Sequence, residues 1–190
     1  MTVGSPVRQI VKFMIPMLIG NVFQQLYNTV DSIVVGKYIG DNALAAVGSA
    51  GPIVNLLLVL FIGISVGAGI MVSQYFGARQ RLSLSKSIGC SITMTFVSSL
   101  IVMALAPLIS MPLLKLLNTP DEIINWCDDY LRILFLGIAG CAFYNILGGI
   151  LRGLGDSVSA LLYLIIATFL NIILDIFFVA YVGMGVPGVA

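Results

Sequence analysis

Histidine is missing from all 190 residues. That removes the commonest metal ligand and the side chain most used for proton transfer near neutral pH. Cysteine is sparse. Cys90, Cys127 and Cys141 match no metal-ligand or redox spacing, so they read as packing residues. Charge is scarce too: only 9% of the residues are charged, against about 25% in a soluble domain. The net charge of +1 offers no basic excess to neutralise phosphates, which excludes a nucleic-acid partner on bulk electrostatics. No cleavable leader is expected. The first apolar run is too long for one, carries Asn21, Gln24 and Asn28, and shows no small-residue cleavage site.

What fills the chain is apolar. Hydrophobic residues make up 59% of it, and the mean hydropathy is +1.11. The apolar residues come in five long runs, and about 20 such residues cross a bilayer core. Open strands cannot satisfy their backbone in lipid, so the spans must be helices. The predicted fold is an all-α integral membrane protein, a polytopic helical bundle of one transmembrane unit over residues 1–190. Its five complete helices are expected at about 7–35, 42–76, 87–114, 121–151 and 157–182. A turn follows from Gly183 to Pro187, and a sixth helix could start at Ala190. Asp41 is expected to cap helix 2, and Gly77 to Lys86 is read as a polar loop. At helix 4, Thr119 suits the cap, Pro120 the first helical position, and Asp121 and Glu122 the positive end of the dipole. Asp156 is expected to cap helix 5. Pro16 lies inside helix 1, where it frees a carbonyl and marks a hinge.

Basic residues set the orientation. Arg8 and Lys12 precede helix 1, Arg79, Arg81 and Lys86 follow helix 2, and Arg152 follows helix 4. By the positive-inside rule this end is cytoplasmic, in a multi-pass protein of the cell (inner) membrane. Most of the acids fall on the opposite side. Asp156 lies in a cytoplasmic turn, and Asp31 and Asp175 lie within the membrane.

Those two carry the functional argument. A charge at the bilayer centre costs about 2.5–3.5 kcal/mol on insertion scales, so it is seldom kept without a partner or a pathway. On helix 1, Asn21, Gln24, Asn28 and Asp31 recur at helical spacing and share a stripe. On helix 5, Thr168, Asn171 and Asp175 do the same. Asp31, Asn171 and Asp175 present hard oxygens that could hold Na⁺ or share a proton, and two neighbouring carboxylates do not readily ionise together. Polar side chains at this depth also serve as interhelical glue, as small residues such as Gly63 and Gly67, or Gly148, Gly149 and Gly153, serve close packing. Tyr144 and Asn145 on helix 4 are candidates for substrate contact, with packing or glue as the alternative.

The stretch from Asn28 to Gly48 (NTVDSIVVGKYIGDNALAAVG), Gly67-Ala-Gly69 through Gln74-Tyr-Phe-Gly-Ala78, and Leu151-Arg-Gly-Leu-Gly-Asp156 resemble the multidrug and toxic compound extrusion (MATE) transporters. Their order and spacing match across nearly the whole chain. The resemblance implies twelve helices in two six-helix lobes, of which this chain is the N-terminal one. It implies a secondary active antiporter, without resident cofactor, that exports cationic drugs or toxic organic compounds in exchange for Na⁺ or H⁺. It implies a cation site at Asp31, Asn171 and Asp175, and partners in membrane lipids and in the missing C-terminal lobe or a second copy. Asn21, Gln24, Asn28, Tyr144 and Asn145 are the expected substrate contacts.

Two rival readings rest on other features. A lipid-linked oligosaccharide or lipid flippase of the same superfamily would need a basic cavity, whereas this stripe is acidic and amide-rich. The string Gly153-Leu-Gly-Asp156 matches intramembrane aspartyl proteases. Those need the Asp inside the membrane, and here it falls in a turn beside Arg152.

Overall fold

The computed structural model describes residues 5–183 together with Gly185 and Gly188. Five helices succeed one another: α1 (Pro6–Tyr38), α2 (Asp41–Gly77), α3 (Arg81–Leu116), α4 (Asp121–Gly153) and α5 (Ser157–Ile176). A π-helical turn, Phe177–Tyr181, follows α5 directly. Among the described residues there is no strand. Among the described residues four segments are long and apolar enough to cross a membrane: Ala43–Gly77, Arg81–Leu116, Asp121–Gly153 and Ser157–Val179. The 33 residues of α1 are long enough, but Asn21, Gln24, Gln25, Asn28 and Asp31 lower its apolarity. The start of a sixth helix at Ala190, and three residues of the turn before it, fall outside the described residues.

The connections are tighter than the sequence pattern predicts. The expected loop from Gly77 to Lys86 shrinks to Ala78–Gln80, because Arg81 to Lys86 already belong to α3. Arg79 turns the chain with φ of 57°, held by N–H bonds from Arg79 to the Phe76 carbonyl and from Gln80 to the Tyr75 carbonyl. Between α1 and α2 the reversal falls on Gly40, whose φ of 109° only glycine adopts without strain. Asp41 therefore enters the first helical turn, and Gly40 takes the cap position with no side-chain bond. At α4 the cap position is Pro120 and not Thr119, again without a side-chain bond. Asn118, with φ of 53°, and Thr119 instead close the end of α3 by donating to the Lys115 and Leu114 carbonyls. Asp156 does cap α5, its Oδ1 accepting from the Ser159 N–H at 2.9 Å. The hydrogen bonds from Ser159 hold its carboxyl below the ordinary carboxylate range.

Packing joins α2, α3 and α4 into one group and α1 with α5 into another. The close approach of α2 and α4 depends on missing side chains. A Cβ on Gly149 would lie 2.7 Å from the Ser65 carbonyl oxygen, and one on Gly153 would lie 2.6 Å from that of Gly69. Gly63 and Gly67, which the sequence pattern singles out, have open space around them. The contact on α2 is made by Ser65 and Gly69, and the Ser65 hydroxyl donates to the Asn145 carbonyl at 2.6 Å. The largest apolar cluster gathers Val34 and Val35 of α1, Ala46 and Ala50 of α2, Leu114 of α3 and Leu131 and Phe135 of α4.

Near this cluster Asp128 is buried, 5% exposed. It accepts from the Ser110 hydroxyl at 2.5 Å and from Arg132 Nε at 2.7 Å. Arg132→Ala is expected to destabilise the lobe by about 1–3 kcal/mol, because a buried carboxylate loses a charged donor. Adding Asp128→Asn should restore most of that loss, since the charge goes while the Ser110 bond stays. Thermal unfolding of both variants measures the coupling; equal losses in the single and double variants would contradict it.

Candidate functional site

The site starts from the fit of α1 against α5. Gly20 of α1 is buried against α5, where a Cβ would meet Leu164 Cδ2 at 3.3 Å and Leu161 Cδ1 at 3.7 Å. Beyond this contact the same face of α1 carries Phe23, Tyr27 and Asp31 at helical spacing, all half-buried. Opposite them α5 turns in Thr168, Asn171 and Asp175. Thr168 and Asp175 are buried and Asn171 half-buried. The Thr168 hydroxyl is spent on its own helix, donating to the Leu164 carbonyl at 2.9 Å.

Asp31 and Asp175 lie within electrostatic reach of one another. Both are also within reach of the phenols of Tyr27 on α1 and Tyr130 on α4. The Tyr27 phenol approaches the Asn171 carboxamide. Yet Asp31 Oδ1 and Asn171 Oδ1 are each buried without a hydrogen-bond partner. A buried acceptor left unmatched costs about 1–3 kcal/mol, and a donor or a cation would relieve each. Among the described residues no group of three or more His, Cys, Asp or Glu side chains gathers. The charge of the site is therefore the carboxylate pair, set among neutral amide and phenol oxygens. That donor set suits a small hard cation or a proton better than a transition metal.

The other sequence candidates are distributed differently. Asn21, Gln24 and Asn28 flank the buried face of α1 and are exposed on the surface of the lobe, so only Asp31 of that stripe is carried into the α1–α5 contact. The Asn28 carboxamide donates to Gln25 Oε1 at 3.3 Å. A shallow surface groove runs beside them, lined by Leu18, Asn21, Val22, Gln25, Leu26 and Thr29. Tyr144 is exposed, at 39%, and lies within electrostatic reach of Arg152, toward the far end of α4. Asn145 is half-buried and its amide donates to the Cys141 carbonyl at 2.9 Å. Pro16 is buried, and α1 runs unbroken through it.

Tyr27 and Tyr130 are the neighbours that sequence pattern alone passes over. Their signal was present. Tyr27 stands one helical turn before Asp31, and a tyrosine hydroxyl within an apolar span needs a polar neighbour.

Comparison with known proteins bears on the family of the chain. The family profile MatE matches residues 16–177. The probable multidrug resistance protein YoeA of Bacillus subtilis is 33% identical over 162 residues, covering 85% of this chain and 35% of that protein. A MATE structure in the straight conformation superposes with a TM-score of 0.90 at 31% identity, covering 98% of this chain and 41% of that one. A MATE structure in the bent conformation superposes at 0.91 and 32% identity, covering 98% and 42%. The chain thus spans about two fifths of the length of the relatives it matches.

Proposed function

Because the chain belongs to the MatE family of multidrug efflux transporters, we propose that it is the N-terminal lobe of a secondary active antiporter. Members of this family are transporters and not enzymes, and this one is a multi-pass membrane protein. In our reading it works in the inner membrane with its N-terminus cytoplasmic, as the basic residues at that end imply. α1 would then serve as a fifth span, and a second six-helix lobe would complete the transporter. The complete transporter exchanges organic cations for Na⁺ or H⁺, and this lobe carries the coupling site.

The observation that carries the reading is the pair of orphaned buried oxygens, Asp31 Oδ1 and Asn171 Oδ1, beside the buried carboxylate of Asp175. A cation or a proton would satisfy them and offset the repulsion between the two carboxylates. The exposed amides of Asn21, Gln24 and Asn28 cannot stay against lipid at that depth. They line the cavity between the two lobes, where Tyr144 and Asn145 add substrate contacts. Ion binding then shifts α1 by bending about Pro16, where the helix lacks one backbone bond. That structural neighbours are described as MATE in straight and in bent conformations supports such a step.

Thermal unfolding of the purified chain in detergent tests the site, with Na⁺ replacing K⁺ at fixed ionic strength and across pH. A ligand held only by the native state stabilises it by about 2.7 kcal/mol at a hundred times its Kd. A Na⁺-specific rise lost in Asp175→Asn indicates sodium coupling. A pH-dependent midpoint lost in the same variant indicates proton coupling. Indifference of the wild-type chain to both ions would refute the site.

A further inference from the structure

The α2–α3 turn builds a second feature that ion coupling does not use. A cavity of about 740 Å³ opens there, lined by Tyr75, Phe76 and Gly77 of α2, Arg79 of the turn, and Arg81, Leu84, Ser85 and Ile88 of α3. The turn is short and tied by its backbone bonds, so it holds two guanidinium-bearing residues two positions apart. Both are exposed. Among the described residues neither makes an ion pair, the ion pair there being Asp128 with Arg132. No acid lines the cavity.

Its walls change character with depth. Arg81, Leu84 and Ile88 share one stripe of α3, with Leu84 and Ile88 half-buried. From Arg81 to Ile88 the stripe descends about 10 Å at 1.5 Å per residue, into a helix apolar enough to cross the membrane. Tyr75 and Phe76 close the α2 side with aromatic rings. The groove is cationic at its mouth and apolar toward the bilayer, whereas a site for a soluble anion would need no apolar descent. Basic pockets between spanning helices suit lipid headgroups.

We infer that this groove holds one anionic phospholipid of the adjoining leaflet, its phosphate between Arg79 and Arg81 and an acyl chain along Leu84 and Ile88. The lipid clamps the α2–α3 end of the bundle and makes the stability of the lobe depend on the acidity of the leaflet. Neither the occupant nor its effect depends on which ion the α1–α5 site takes.

Native mass spectrometry of the full chain tests this, in detergent with equal phosphatidylglycerol and phosphatidylcholine. The expected result is one retained phosphatidylglycerol per chain. Its binding should weaken on the order of tenfold or more in Arg79→Gln/Arg81→Gln, from the loss of two basic contacts near the membrane surface. Binding should be unchanged in Arg8→Gln/Lys12→Gln, which removes the same charge at the same end. Circular dichroism in phosphatidylcholine alone verifies that both variants are folded. Equal loss in both variants would reduce the effect to general surface charge and overturn the site. So would equal retention of the two lipids, or displacement of the lipid by millimolar inorganic phosphate.

Discussion

Gly149→Val should cost the lobe at least about 3 kcal/mol, the upper end for overpacked cores. The first carbon of the new side chain would lie 2.7 Å from the Ser65 carbonyl oxygen and 3.2 Å from its carbon. These are backbone atoms, so no rotamer change relieves the clash and α2 must move away from α4. That movement also breaks the bond from the Ser65 hydroxyl to the Asn145 carbonyl. A Cβ at Gly63 or Gly67 meets nothing within 4 Å, so Gly63→Val and Gly67→Val should leave the unfolding midpoint nearly unchanged. All three substitutions add the same volume and the same β-branching to a helix. A Gly149→Val midpoint equal to that of Gly63→Val would show that the helices are not held by this contact.

The same pair of glycines shows how far sequence reading reaches. Small residues spaced four apart announce close helix packing, and on α4 the residues so marked do make the contact. On α2 the same spacing points to Gly63 and Gly67, while the packing face is Ser65 and Gly69. Composition names both pairs, but only the rotation of each helix against its neighbour selects one. The helix stripe fails in part for the same reason. Asn21, Gln24 and Asn28 fall on one side of α1 with Asp31, yet the buried face is centred between Gly20, Tyr27 and Val34, and the three amides lie at its flank. Asp31 and Asp175 were legible because a carboxylate in an apolar run is costly wherever it points. Tyr27 and Tyr130 were not singled out, because a tyrosine in a span has an ordinary apolar use.

Asp31→Asn is expected to raise the unfolding midpoint while abolishing the response to the coupling ion. The substitution keeps the shape of the side chain and removes a carboxylate that lies within electrostatic reach of Asp175. It also replaces the Asp31 carboxylate, whose Oδ1 is buried without a partner, by an amide that can donate as well as accept. Matching one such acceptor is worth about 1–3 kcal/mol, or about 2–4 °C per kcal/mol for a chain of this length. The sign separates the two readings of the site. A coupling site is kept at the expense of stability, so neutralising it should stabilise the resting lobe. Interhelical glue is kept for stability, so neutralising it should do the reverse. A lowered midpoint with an intact response to Na⁺ and pH would assign Asp31 to glue.

The division of the bundle into α2–α3–α4 on one side and α1–α5 on the other also sets an order of assembly. The three middle helices are consecutive, so their mutual contacts can be completed once α4 is made. α1 is synthesised first, but its principal partner begins only at Ser157. At about 5–20 residues per second, α1 waits on the order of ten seconds for α5. Throughout that wait Asp31 lacks Asp175 within its reach, in the helix least suited to lipid. The polar residues that set α1 apart from the other helices thus sit in the helix whose principal partner is made last.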